Sequence, residues 1–236
     1  MAAGPVADAT WVRLDVGGPL DAATARRLLD GLRAAEADPA CRAVVLAADG
    51  PVFCTGMDLS GLDEPGDVVW ELLTALAGGR LASVAVVEGS AVGGGVGVAA
   101  ACDFVFAGPD ASFRLTELLL GLVPALIMPF VTARTGEHGM LRMSVLAERH
   151  DAEAARGIGL VDEAGERPWE SVRRVLLALR RMPSADLVGE LKACRRRLHP
   201  LPADYPEHAR RVLRRRVADP AVRARIERLR AEGVLT

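Results

Sequence analysis

An α/β fold is predicted for this chain, and three observations predict it. Short apolar runs rich in β-branched residues alternate with longer segments of helical periodicity from Trp11 to Arg114. Half of the residues are apolar but only 4% are aromatic, so Ala, Val and Leu carry the burial, as suits helices packed closely on a sheet. The order strand, helix, strand, helix, strand, helix, strand suggests a β/α unit repeated with right-handed crossovers.

The elements follow in order. Trp11 to Asp15 alternates like a strand, and Ala22 to Ala37 places Ala25, Leu28, Leu29, Leu32 and Ala35 on one helical face. Arg42 to Ala47 is a run suited to a buried strand, ended by the turn chemistry of Asp49-Gly50-Pro51. Val52 and Phe53 lead into a glycine-containing loop from Thr55 to Asp58, and a helix is expected from Asp67 to Ala77, closed by Gly78-Gly79. Ser83 to Glu88 reads as a strand. Three consecutive glycines then open an Ala-rich helix that ends near Ala101, and strand signals return at Asp103 to Ala107 and Ser112 to Arg114.

After Pro168 only helical patterns remain, rich in Arg and Leu and punctuated by prolines. A boundary near Met182 divides a core over residues 1–182 from a helical region over 183–236 whose short helices look made to pack on something else. No internal repeat or low-complexity linker interrupts either part.

Composition excludes several classes. The formal net charge of −2 gives no global preference for polyanions, and the scarcity of aromatics argues against a base-stacking nucleic-acid module. Cys41, Cys54, Cys102 and Cys194 have neither CxxC spacing nor paired histidines, so a metal site or disulfide framework is not expected and free thiols suit a reducing cytoplasm. The opening MAAGPVADAT has neither a basic nor an apolar leader region, and the stretch from Gly89 to Gly108 is too broken by glycine and Asp103 to span a membrane.

Two segments carry chemistry. One is VFCTGMDL, Val52 to Leu59; the other is EGSAVGGGVG, Glu88 to Gly97, running on to Ala101-Cys102-Asp103. Each places glycine where a backbone turns sharply or approaches a ligand. In the second the glycines begin a helix, whose unpaired N–H groups and dipole favour negative charge. Two N–H groups from such places would make an oxyanion hole for a carbonyl becoming an enolate. Each stretch taken alone also fits a plain tight turn. A phosphate loop does not fit, because GxGxxG spacing and a Lys-Ser/Thr pair are both missing.

The two segments in this order, followed by FRLTELLLGLVPA, resemble the crotonase (enoyl-CoA hydratase/isomerase) superfamily, and the resemblance covers nearly the whole chain. It implies a spiral of β/β/α turns with a C-terminal helical trimerisation region, assembled as a homotrimer or dimer of trimers. It implies that the oxyanion N–H groups belong to Met57 and Gly94. It further implies two catalytic glutamates in hydratases; Gly97 stands where one of them lies, and Glu117 stands at the other. Taken by itself, Glu117 could also be a helix N-terminal acid beside Thr116. An unpaired carboxylate in the apolar run LLLGLVPALIMPF would nevertheless be costly without a role.

Within the superfamily, FCTGMD, TELLLGLVPALIMPFVTARTG and the ERLRAEG ending are similar to the dehydratases of polyketide β-branching cassettes. That likeness implies dehydration of a 3-hydroxy-3-methylglutaryl chain, or a relative, held through phosphopantetheine on an acyl carrier protein, with no metal or redox cofactor. Cys54, Gly56, Asp58, Gly93 and Val123 are the expected substrate contacts, Cys54 as a small pocket filler and not a nucleophile. Val123-Pro124-Ala125-Leu126 departs from the subgroup, so the branch need not be methyl. His138, His150, His199 and His208 are expected on the surface or in packing. Arg195-Arg196-Arg197 and Arg210, Arg211, Arg214, Arg215 and Arg216 form basic clusters that are either solvated faces or a landing surface for an acidic carrier or the pantetheine phosphate. A CoA-dependent hydratase or isomerase and a catalytically silent scaffold are the rival readings.

Overall fold

The structure is a computed structural model and describes residues 10–58 and 65–232. The opening residues 1–9, Leu59 of the first motif and residues 233–236 at the end of the tail lie outside the described residues.

The order is β1 (Trp11–Asp15), β2 (Pro19–Leu20), α1 (Ala22–Ala37), β3 (Ala43–Ala47), β4 (Val52–Cys54), β5 (Gly56–Met57), α2 (Pro65–Gly78), β6 (Ala82–Val87), β7 (Ser90–Val92), α3 (Gly94–Ala101), β8 (Phe104–Ala107) and β9 (Ser112–Arg114). A 3₁₀ turn (Glu117–Leu120), α4 (Met128–Leu146), β10 (His150–Asp151), α5 (Ala152–Gly157), β11 (Glu163–Ala164) and four helices follow: α6 (Pro168–Arg180), α7 (Asp186–Leu198), α8 (Tyr205–Ala218) and α9 (Pro220–Ala231).

Five strands form a parallel sheet in the order β1-β3-β6-β8-β11. Its central strands β3 and β6 are buried along their whole length, which is why they read as continuous apolar runs with no polar alternation. The period-2 alternation is still there, spent on two cores. Ala43, Val45, Val84 and Val86 meet Trp169, Val172 and Leu176 of α6 on one face. Val44, Leu46, Ala85 and Val87 meet the larger core on the other, with Leu28 and Leu32 of α1 and Leu73 of α2. On α1 the five apolar positions expected to be buried are buried, and the Asp21 side chain caps the helix by accepting from Thr24 N at 2.6 Å.

A second layer positions the site. β4, β7 and β9 run parallel, with β10 antiparallel at the edge, and β5 pairs with β2 in register Pro19↔Gly56 and Leu20↔Met57. Neither β5 nor β7 is legible in the sequence. Two- and three-residue strands carry no readable period, and the expected loop over Thr55 to Asp58 becomes a strand only through this pairing.

Beyond Met182 the helices return to the chain's own core. Ala209 and Leu213 of α8 belong to the larger core. Lys192 of α7, 3% exposed, donates to the carbonyls of Leu76 (3.0 Å) and Leu81 (2.7 Å) and pairs with Asp103 at 2.6 Å. A buried ammonium is tolerable only with such partners, so α7 is pinned to the core at this point.

Candidate active site

The two glycine-bearing segments meet. Gly56 has φ +95°, which suits glycine, and a Cβ on it would lie 2.9 Å from Val92 O and 3.6 Å from Gly94 N. Gly93, at φ +51°, donates its N–H to Arg114 O at 2.9 Å and opens α3. The Gly94 amide is therefore a first-turn donor without an intrahelical acceptor. A Cβ built on Gly94 would lie 3.3 Å from Met57 N, so the Met57 and Gly94 amides border one small space.

Glu117 faces that space. It opens the 3₁₀ turn that follows β9, and its Oε1 lies 3.0 Å from where a Cβ of Gly93 would stand. Oε2 is buried and has no hydrogen-bond partner among the described residues. Burial raises the Glu117 pKa from 4.5 to about 7, although the backbone at Glu117 and Thr116 pulls it the other way. A carboxyl of that pKa exchanges protons readily near neutrality.

A cavity of about 500 Å³ joins these groups. Gly56, Met57, Asp58, Gly93, Gly94, Glu117 and Val123 all line it, as do Pro124 and Leu126. Cys54 does not. It is fully buried behind the glycines that open α3, where a Cβ on Gly95 would lie 2.7 Å from Cys54 Cβ, and burial raises its thiol to about 11. The expected contact from Cys54 is thus corrected: it fills space beneath the loop, and its neighbour Thr55 lies on the wall. None of the four histidines lines the cavity.

Three features were not found by sequence reasoning. Leu213 of α8 and Ile226 of α9 close the cavity from the tail, and Arg114 of β9 stands on its wall. Arg114 donates through Nε to Ala147 O at 2.7 Å, pairs with no described carboxylate, and is the one basic residue among the described residues lining the cavity. Its location was readable only from the register Val92↔Arg114, which sets it beside the glycine turn. The third feature is Ile127. A Cβ on Gly97 would lie 2.1 Å from Ile127 Cγ2, so the space beside position 97 is filled by an isoleucine side chain from another segment.

The basic clusters are partly engaged. Arg196 donates to Gly78 O (2.7 Å), Arg214 to Glu207 (2.7 Å) and Arg216 to Gly121 O (2.7 Å), and Arg210 pairs with Asp67. Arg195, Arg197, Arg211 and Arg215 are exposed.

Residues 7–188 match the family described as enoyl-CoA hydratase/isomerase, and the chain belongs to that family. Among solved structures it is similar to an enoyl-CoA hydratase from Mycobacterium avium, with TM-score 0.85 and 30% identity over 98% of this chain and 95% of that one. The fold is therefore the crotonase fold. More particularly, the chain is similar to the bacillaene synthase dehydratase PksH of Bacillus subtilis, 30% identical over 149 residues that make up 59% of this chain and 58% of PksH. It is also 28% identical to the enoyl-CoA hydratase ACTT6 of Alternaria alternata, over 85% of this chain and 70% of that protein. Across the first such relatives the match spans between 58% and 70% of their length. These relatives are named as hydratases and dehydratases, which are lyases. Among the described residues no cluster of His, Cys, Asp and Glu is set to hold a metal, and no helix is long and apolar enough to cross a membrane.

Proposed function

We propose that this enzyme dehydrates a 3-hydroxy-3-alkylglutaryl-type thioester, or a related 3-hydroxyacyl thioester, carried by an acyl carrier protein in polyketide β-branching. The observation that carries the reading is the pairing of one proton-exchanging carboxyl, Glu117, with the Met57 and Gly94 amides, while position 97 has no room for a second carboxylate. The likeness to PksH supports the polyketide setting.

In this mechanism the two amides hold the thioester oxygen and stabilise the charge that develops on it. Ionised Glu117 removes a proton from carbon 2. The protonated carboxyl then passes that proton to the 3-hydroxyl, which leaves as water while the carbon 2–carbon 3 double bond forms, and Glu117 is ionised again. Arg114 suits the free carboxylate of a glutaryl chain. Gly56, Asp58, Gly93 and Val123 shape the path of the chain. Phosphopantetheine or CoA serves only as the tether, and no metal or redox cofactor takes part.

Arg195 and Arg197 suit an acidic carrier surface. Exposed Leu191 and Leu198 on α7 and Leu141 and Val145 on α4 suit burial in a homotrimer or dimer of trimers. A cytoplasmic setting completes the proposal. Intact-protein mass spectrometry of a carrier protein bearing the 3-hydroxy-3-methylglutaryl group tests it, with loss of one water expected. The relatives named for enoyl-CoA favour a second reading, in which CoA is the handle and the enzyme is an acyl-CoA hydratase or isomerase. Turnover of the CoA thioester with none of the carrier-bound one would decide for that reading. Failure of both would leave a crotonase-fold binding scaffold.

A further inference from the structure

Glu117 stands on a short turn that the last two helices of the chain brace from outside. The 3₁₀ element has four residues, and its backbone bonds are Leu120 N to Thr116 O at 3.3 Å, Gly121 N to Leu118 O at 3.1 Å and Leu122 N to Glu117 O at 2.8 Å. Such short 3₁₀ pieces have poor hydrogen-bond geometry and depend on what surrounds them. Here the surroundings are the last two helices of the same chain. Arg216 at the end of α8 donates through Nε to Gly121 O at 2.7 Å, and Arg225 of α9 donates to Leu119 O. Leu120 and Leu122, on either side of Gly121, pack with Val222 and Ile226 of α9 in a cluster of their own. Gly121 has φ +80°, and a Cβ on it would meet Val222 Cγ2 at 3.0 Å and Arg216 Nη2 at 3.5 Å, so the fit is close.

We propose that Arg216 is a positioning residue for Glu117, holding the αL turn at Gly121 so that the carboxyl stays seated against Gly93 and away from water. Arg216 is suited to this because its planar fork reaches Gly121 O while Nη1 meets Asp219 Oδ2 at 3.5 Å, which fixes the side chain at two points. The helices Arg216 ties down also supply Leu213 and Ile226 to the cavity wall, so releasing them would wet the carboxyl. The charged groups around the turn are Arg216 of α8, Asp219 between α8 and α9, and Arg225 of α9, with Arg114 and Asp58 on the cavity wall; the start of α4, Met128 to Ala133, carries none. The inference rests on Glu117 being the proton-transfer group and is independent of which thioester is the substrate.

The experiment is a carboxyl titration by carbon-13 NMR on protein labelled at glutamate, with the Glu117 resonance assigned by its loss in Glu117→Gln. It is run on wild type, Arg216→Ala and Arg216→Lys beside kcat, KM and thermal melting. In Arg216→Ala the Glu117 midpoint is expected to fall from the wild-type value toward 4.5. Its kcat is expected to fall about 10²-fold, the size of a small misplacement, with KM little changed. Arg216→Lys should recover part of both. A folded Arg216→Ala protein with wild-type midpoint and kcat, whatever its melting temperature, overturns the proposal. If Arg216→Ala does not fold, a folded Arg216→Met protein, which keeps the length of the side chain and loses its donors, with unchanged midpoint and kcat overturns it. Absence of turnover on the carrier-bound substrate bears on the substrate reading alone, because the titration is read without it.

Discussion

Ile127 occupies the space that any side chain at position 97 would need: a Cβ on Gly97 would stand 2.1 Å from its Cγ2 and 2.6 Å from its Cβ. Glycine at position 97 is therefore part of the packing, with α3 and the segment before α4 drawn together through it. Gly97→Glu alone should lose about 3 kcal/mol or more, combining overpacking with an unpaired buried charge. Adding Ile127→Ala makes room, and the double variant should regain stability and begin to hydrate an enoyl thioester. A denaturant melt of the single variant that matches wild type would show that the site has more room than the structure gives it.

Glu117→Gln keeps shape and removes the proposed base, so turnover should fall roughly 10²-fold or more while substrate binding changes little. The same residue makes a stability prediction. Its folded pKa, about 7, lies above its ordinary 4.5, so between these values the unfolded chain gives up the proton first. Stability from this group is full below about pH 4.5 and is lost as pH rises through 7, by about 3 kcal/mol in all. Glu117→Gln should flatten this part of the curve. Urea melts of both proteins from pH 5 to pH 8 measure the difference, and parallel curves would mean that Glu117 is hydrated in solution.

How much of this was legible before the fold was known depends on the kind of signal. The period on α1 and the apolar runs at β3 and β6 named their elements because burial imposes a repeat on many consecutive positions. Glycine marked the two site loops because positive φ at Gly56 and Gly93 leaves few other choices. Cys54 was misplaced by a short step: strand alternation turns it under the loop while Thr55 faces the cavity, and β4 is too short for its facing to be read. Arg114, Leu213 and Ile226 reach the cavity only through tertiary pairing, which leaves no local pattern. The clusters of arginine after Met182 looked alike in sequence, yet Arg216 binds a carbonyl beside the site and Arg195 lies exposed.

The oxyanion assignment separates two glycine-loop variants. Gly94→Ala keeps its N–H but sets a methyl 3.3 Å from Met57 N and from Leu20 Cδ2, in the space a thioester oxygen would fill. Loss of one such donor elsewhere costs about 10² to 10³ in kcat, and blocking the space should cost a similar amount. Met57→Ala keeps its N–H and adds no bulk, so it should retain most of its turnover. Steady-state kinetics on both settle the matter. Equal loss in the two variants would mean that the Met57 side chain, and not its amide, is what the reaction needs.

Arg114 gives the sharpest test of the acyl chain itself. It is the single basic group among the described residues of the cavity wall, its Nε is committed to Ala147 O, and its remaining guanidinium N–H groups meet no described carboxylate. A hydrogen bond to a charged group contributes about 1.5–3 kcal/mol, equivalent to roughly 10- to 10²-fold in kcat/KM. Wild type should therefore prefer a 3-hydroxy-3-methylglutaryl thioester over the 3-hydroxy-3-methylbutyryl one, which lacks the carboxylate, by about that factor. Arg114→Gln should erase the preference mainly by slowing the glutaryl substrate, leaving the neutral one close to its wild-type rate. Because the Nε contact also steadies the end of α4, melting temperatures are to be compared first, and Arg114→Lys keeps the charge where Gln removes it. If the ratio of the two substrates is the same in wild type, Arg114→Gln and Arg114→Lys, the arginine is a wall residue and the chain that enters this cavity carries no distal charge.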